Sequence, residues 1–173
     1  MDELRDKVLT STTGLEQLMK SIPGYEGYHN RERRRDADKL QRMFIADRLT
    51  KVKGSLTDLT AVLARSGHME YLGEIDRAGK IFDKTIDRIR YADYGYAGFF
   101  DAVKINEAEL DKIYEFDSAL VNNAATAEEA VSALEGAVES NEGIKDKVKL
   151  VERAIKEMDR LFDDREKLIA GVA

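Results

Sequence analysis

Apolar side chains return at alternating steps of four and three along most of this chain. The run Ile45, Leu49, Val52, Leu56, Leu59, Leu63 does so without interruption. That spacing collects side chains on one face of an α-helix. A strand needs strict alternation of Val, Ile or Thr with polar residues, and no segment sustains it. A repeat of about 3.5 residues, rather than 3.6, favours long helices that cross at shallow angles. The chain is therefore constrained to a bundle of helices before any other feature is weighed.

Taken in order, the pattern predicts a first helix over 3–21 with Leu4, Val8, Ser11, Leu15, Leu18 and Ile22 on one face, stopped by Pro23-Gly24. Asn30 is suited to N-cap a second helix over 30–65. Ser66-Gly67 leads at once into a third, over 68–92, so these two form an antiparallel hairpin. In the third, Gly79 occupies a seam position, where a neighbouring helix would approach closely. Asn106 and Glu109 resemble a capping pair for a fourth helix over 107–123, with Leu110, Ile113, Phe116 and Leu120 inward. Thr126 and Glu129 form a capping-box pattern, which predicts a separate fifth helix over 126–140. The sixth, over 143–170, carries Ile144, Val148, Val151, Ile155, Met158, Phe162, Arg165 and Ile169 in its seam. The expected fold is all-α: an elongated antiparallel bundle of about five to six helices with coiled-coil-like packing, forming one domain over residues 1–173. The seams either close within one chain or leave a face for a second copy.

The third predicted helix is about ten residues shorter than the second. At about 1.5 Å per residue it ends roughly 15 Å short of the second helix's start. The stretch Tyr94-Gly95-Tyr96-Ala97-Gly98-Phe99-Phe100 is thereby expected to lie near Tyr25 and Tyr28, two aromatic bends meeting at one end.

Composition excludes several chemistries. There is no cysteine, so disulfides, thiolate catalysis and zinc–thiolate sites are out. The net charge of −6 argues against a general nucleic-acid binder. The charged N-terminus has no apolar signal-peptide core, and no run reaches the ~20 residues of a membrane span. A soluble cytoplasmic protein is the expectation. Charge is uneven: residues 29–53 hold nine Lys/Arg against four Asp/Glu, and residues 106–142 one Lys against ten acids. These segments either face each other, are solvated, or steer a partner.

Motifs for catalysis are absent. No nucleophile elbow, phosphate loop or dinucleotide fingerprint occurs. Glu26-x-x-His29 matches half of a di-iron bundle motif, but the other histidine, His68, has Arg65 where the second glutamate should stand. Neither a metal nor a cofactor is implied. The dense basic run Arg31, Arg33, Arg34, Arg35 sits near a helix N-terminus, where positive charge opposes the macrodipole. It either pairs with local acids, as Glu32–Arg35, Arg34–Asp38 and Asp38–Arg42 allow, or binds something anionic. The aromatic residues either plug the bundle end or present a recognition patch.

The signature Pro23-Gly24-Tyr25-x-Gly27-Tyr28-x-x-Arg31-Glu32-x-Arg34-Arg35-x-Ala37-Asp38-Lys39-x-x-Arg42 resembles the start of a family of small helical bacterial and archaeal proteins. The resemblance covers about twenty residues. It implies an association with band-7 (SPFH) and zinc-ribbon proteins, hence a membrane-associated scaffold or assembly partner, and it implies no catalytic residues. The resulting expectation is a non-enzymatic scaffold or interaction module with a protein partner. Its surface is assigned to Tyr25, Tyr28, Arg31, Arg34, Arg35, Tyr94 and Tyr96. The alternatives are a metal- or small-ligand-binding bundle and a peripheral membrane binder.

Overall fold

The computed structural model describes residues 14–92, 97–101 and 105–172. Among these residues every regular element is helical: α1, followed here from 14 to 21, α2 (Arg34–Arg65), α3 (Leu72–Arg90), α4 (Ala97–Asp101), α5 (Glu107–Ser140) and α6 (Ile144–Val172). Short 3-10 turns at Arg31–Arg33 and Met69–Tyr71 precede α2 and α3.

The four long helices form a ring in which α2 packs on α3 and α5, and α6 packs on α3 and α5. Tight turns make α2–α3 and α5–α6 antiparallel hairpins. Gly67 takes φ +85° in the first turn, and Asn141 (φ 57°) and Gly143 (φ +69°) take the second. Cross-links fix how the hairpins sit together. Asp38 meets Arg165 and Arg48 meets Glu128, while Lys84 and Arg88 meet Asp159. So α2 runs parallel to α5, and α3 parallel to α6. The starts of α2 and α5 and the ends of α3 and α6 share one end of the bundle, called here the upper end.

The core follows the seams. Ile45, Leu49, Val52, Leu56, Leu59 and Leu63 of α2 are all buried, as are the α6 seam residues from Ile144 to Ile169. Asn106 accepts from the Glu109 amide (2.9 Å), and the Glu109 carboxylate returns to the Asn106 amide (3.2 Å), a complete capping box.

Three sequence expectations are corrected. Residues 107–140 are one helix, not two. The Thr126 hydroxyl donates back to the Asn122 carbonyl (3.2 Å) rather than capping a new start, and Ala124, Ala125, Ala127 and Ala130 carry the helix through. Gly79 is not a close-approach point, since a Cβ there would meet nothing within 4 Å; Ala78 fills the seam between Ile75 and Phe82. In α5 the inward position is Asp117, fully buried, whereas Phe116 is half-buried. The expected helix before residue 14, with Leu4, Val8 and Ser11, lies outside the described residues.

Candidate functional site at the upper end

The segment 22–30 folds over the upper end and drives its aromatic side chains inward. Gly24 (φ +79°) and Gly27 (φ +81°) permit the bend. A Cβ on Gly27 would come within 2.8 Å of the Tyr114 hydroxyl and 2.9 Å of a Leu15 methyl, so any other residue would strain the backbone and displace those side chains. Tyr28 lands between Phe100 and Tyr114, with ring centroids 5.4 and 5.2 Å away in stacked arrangements, and Tyr25 meets it edge-on at 6.1 Å. The expected meeting of the two aromatic bends is seen through Phe99 and Phe100 of α4, both buried. Tyr94 and Tyr96 lie outside the described residues.

Beneath the rings lies a buried polar network. The Tyr28 hydroxyl donates to Asp117 Oδ2 (2.5 Å), and the Tyr28 amide donates to the Tyr114 hydroxyl (2.7 Å). Arg165 Nε donates to Asp117 Oδ1 (2.6 Å) and its Nη2 to Asp38 Oδ1 (2.7 Å). Arg42 Nε donates to Asp38 Oδ2 (2.7 Å), and its Nη1 reaches the Ile89 and Arg90 carbonyls (3.0 and 3.1 Å). That cation closes the C-terminus of α3, where carbonyls lack intrahelical donors. Two carboxylates and two guanidiniums balance, which is what allows charges this deep. Burial pushes the Asp117 carboxyl up from its ordinary range, against the opposing pull of Arg165 and the Tyr28 hydroxyl. Burial likewise raises the Tyr28 hydroxyl, reinforced by the Asp117 charge.

This arrangement revises the assigned surface. Tyr28 is fully buried and Tyr25 is 3% exposed, so neither ring presents itself to a partner. Arg34 is also buried, its Nε donating to the Tyr28 carbonyl (2.9 Å). The acids and bases pair differently from the local spacing: Asp38–Arg42 forms, but inside the protein. Arg31 and Arg35 remain exposed. Arg31 donates to the Asp101 carbonyl (3.1 Å) and Arg35 pairs with the Asp101 carboxylate. Arg33, also exposed, pairs with Glu26 (3.1 Å). With Asn30 and Glu32, the Arg31, Arg35 and Asp101 side chains line a concavity of about 590 Å³. The basic and acidic segments of the chain meet at the surface through Arg48–Glu128 (2.8 Å).

Sequence reasoning placed Asp38 and Arg42 in surface pairs along α2 and Arg165 in the α6 seam, gave Asp117 no role, and did not bring the four together. The available signal was a charged residue standing at a seam position, as Arg165 does between Phe162 and Ile169. Of the half-motif pair, Glu26 binds Arg33, and His29 is exposed with its ring 6.2 Å from Tyr114. Among the described residues no three His, Asp or Glu side chains converge as a metal site, and no helix is long and apolar enough to cross a membrane. Comparisons with protein-family models, with curated proteins and with solved structures gave no match.

Proposed function

We propose that this chain is a non-enzymatic helical module that binds an acidic protein partner, in the cytoplasm, through Arg31, Arg33 and Arg35 at the upper end. The observation that carries the reading is a division within one short segment. Tyr25, Tyr28, Arg34, Asp38 and Arg42 turn inward and build the end of the bundle, whereas Arg31, Arg33 and Arg35 stay outside it. Tyr28, Arg34, Asp38 and Arg42 are hydrogen-bonded inside the protein, and burial gives a substrate no access to them. Among the described residues the outward cations are held by exposed partners, Asp101 and Glu26. Exposed ion pairs contribute about 0–1 kcal/mol, so a partner's carboxylates can replace them at little cost. A rigid frame under an exchangeable cationic rim suits recognition.

The test is chemical cross-linking and capture with the full chain against Arg31→Glu/Arg35→Glu. The double variant is expected to keep its helical signal and melting temperature and to lose the captured partner. Retention of the same partner would remove this surface. Flotation of the wild type with anionic vesicles, at low salt only, would redirect the same cations to a membrane.

A further inference from the structure

We propose that the open groove between the lower halves of α5 and α6 is a self-complementary interface, joining two copies of this chain about a two-fold axis parallel to the helices. The groove encloses about 360 Å³ and its wall is mainly carbon, from Thr126, Ala130 and Ala133 on α5 and Leu150 and Ala154 on α6. Leu150 is 39% exposed, a large apolar side chain beside a row of small ones.

Charge completes the pattern. On the flanking turns of α6, Lys156 pairs with Glu152 and Lys167 with Asp163, and Glu157, which also lines the groove, is taken up by Arg160. At the groove, Glu129 stands on the α5 wall and Arg153 on the α6 wall. Both are exposed, and among the described residues neither has an ion-pair or hydrogen-bond partner.

The hairpin geometry decides which residues meet. Ala133 lies nine residues before Glu142 and Leu150 eight after it; Glu129 and Arg153 lie thirteen before and eleven after. At about 1.5 Å per residue, each pair stands at one height to within about 3 Å. A two-fold axis along the bundle preserves height and exchanges the α5 and α6 sides. It sets Leu150 of each copy onto Ala130 and Ala133 of the other, and Arg153 of each against Glu129 of the other. A patch holding both the protruding and the receding side chain, and both charge signs at matching heights, meets the requirement of an isologous interface. The occupant is therefore a second copy.

Sedimentation equilibrium of the full chain over roughly 1–100 μM tests this. The expected mass is that of a dimer. Leu150→Asp is expected to give monomer with an unchanged helical signal, since the side chain is at the surface. Arg153→Glu and Glu129→Arg each weaken association by at least about tenfold, because each sets like charges together twice. The two combined restore it to within about threefold of wild type. A monomer at every concentration would overturn the proposal. So would a dimer indifferent to Leu150→Asp and to both charge reversals.

Discussion

The two ends of this bundle are built on different principles. Below the level of Val52 the core is apolar: Leu56, Leu59, Leu63, Ile75, Ala78, Val131, Leu134, Val148 and Val151 fill it. At the upper end, Arg165, Asp117, Asp38 and Arg42 lie just as deep, roofed by Tyr28, Phe100 and Tyr114. The apolar half gains from burial of any well-fitting side chain and tolerates exchange. The upper end gains only when each charge finds its partner, so it accepts few alternatives. Burying ions is no efficient route to stability. Their effect here is selective: Tyr28, Asp38, Asp117 and Arg165 come from four separate segments, and their mutual hydrogen bonds form only where all four meet.

The contrast is broken most severely by Arg165→Ala. It leaves Asp117 without its guanidinium and Asp38 with one fewer, and is expected to cost about 3–5 kcal/mol, read as a fall in the urea midpoint. Arg165→Lys keeps the charge but cannot reach both carboxylates in the same way, so it should recover only part of that loss. In the apolar half, Leu63→Ala should cost about 2–4 kcal/mol, whereas Leu63→Met, nearly equal in volume, should cost less than about 1.5 kcal/mol. If Arg165→Lys is as mild as Leu63→Met, the two ends do not differ in the way described.

Tyr28→Phe comes next. It keeps the stacked ring and removes only the hydroxyl, leaving Asp117 one donor short; the expected loss is about 1–3 kcal/mol. Two cap patterns then separate by size of effect. Asn106→Ala should cost about 1 kcal/mol, because its side chain closes the start of α5. Thr126→Ala should change stability by less than about 0.5 kcal/mol, because that side chain lies mid-helix.

These cases show what the sequence makes legible. The seam of α2 is readable because six apolar residues repeat without a break. The Asn106 start is readable because a loop precedes it. The Thr126-x-x-Glu129 pattern is the same in form but lies between alanines, so local propensity overrides it and the helix runs on. Asp117 and Arg165 are not readable as a pair. A charged residue on a helix normally faces water, and nothing local tells Asp117 that its partner lies 48 residues away. The inward turn of Tyr25 and Tyr28 is hidden for the same reason: it depends on what lies beneath them. The exposed Arg31 and Arg35 were legible; which of their neighbours would be buried was not.

The smallest expected effect is one of pH. Asp159 accepts from Arg88 (2.6 Å) and Lys84 (3.1 Å) across the α3–α6 seam. Partial burial opposes its ionisation, but these two cations together hold its carboxyl below the ordinary range. Its folded value is depressed, so its contribution is present above the unfolded value of about 4 and is lost as pH falls through the folded value. Asp117 has the opposite sign. Its folded value is raised by burial, so its contribution is full below the unfolded value and declines as pH rises through the folded one. Asp159→Asn should flatten the loss of stability on acidification below pH ~4, measured as melting temperature against pH. An unchanged acid slope would remove the Arg88 clasp from the account.

The most direct test is a double-mutant cycle on Asp117→Ala and Arg165→Ala, measured by urea unfolding at neutral pH. A buried pair that fixes the upper end predicts that the double variant is less damaged than the two single losses combined, with a coupling of about 2 kcal/mol or more. Losses that add to within about 0.5 kcal/mol would mean that the two side chains act independently, and the network would not be what holds this end together.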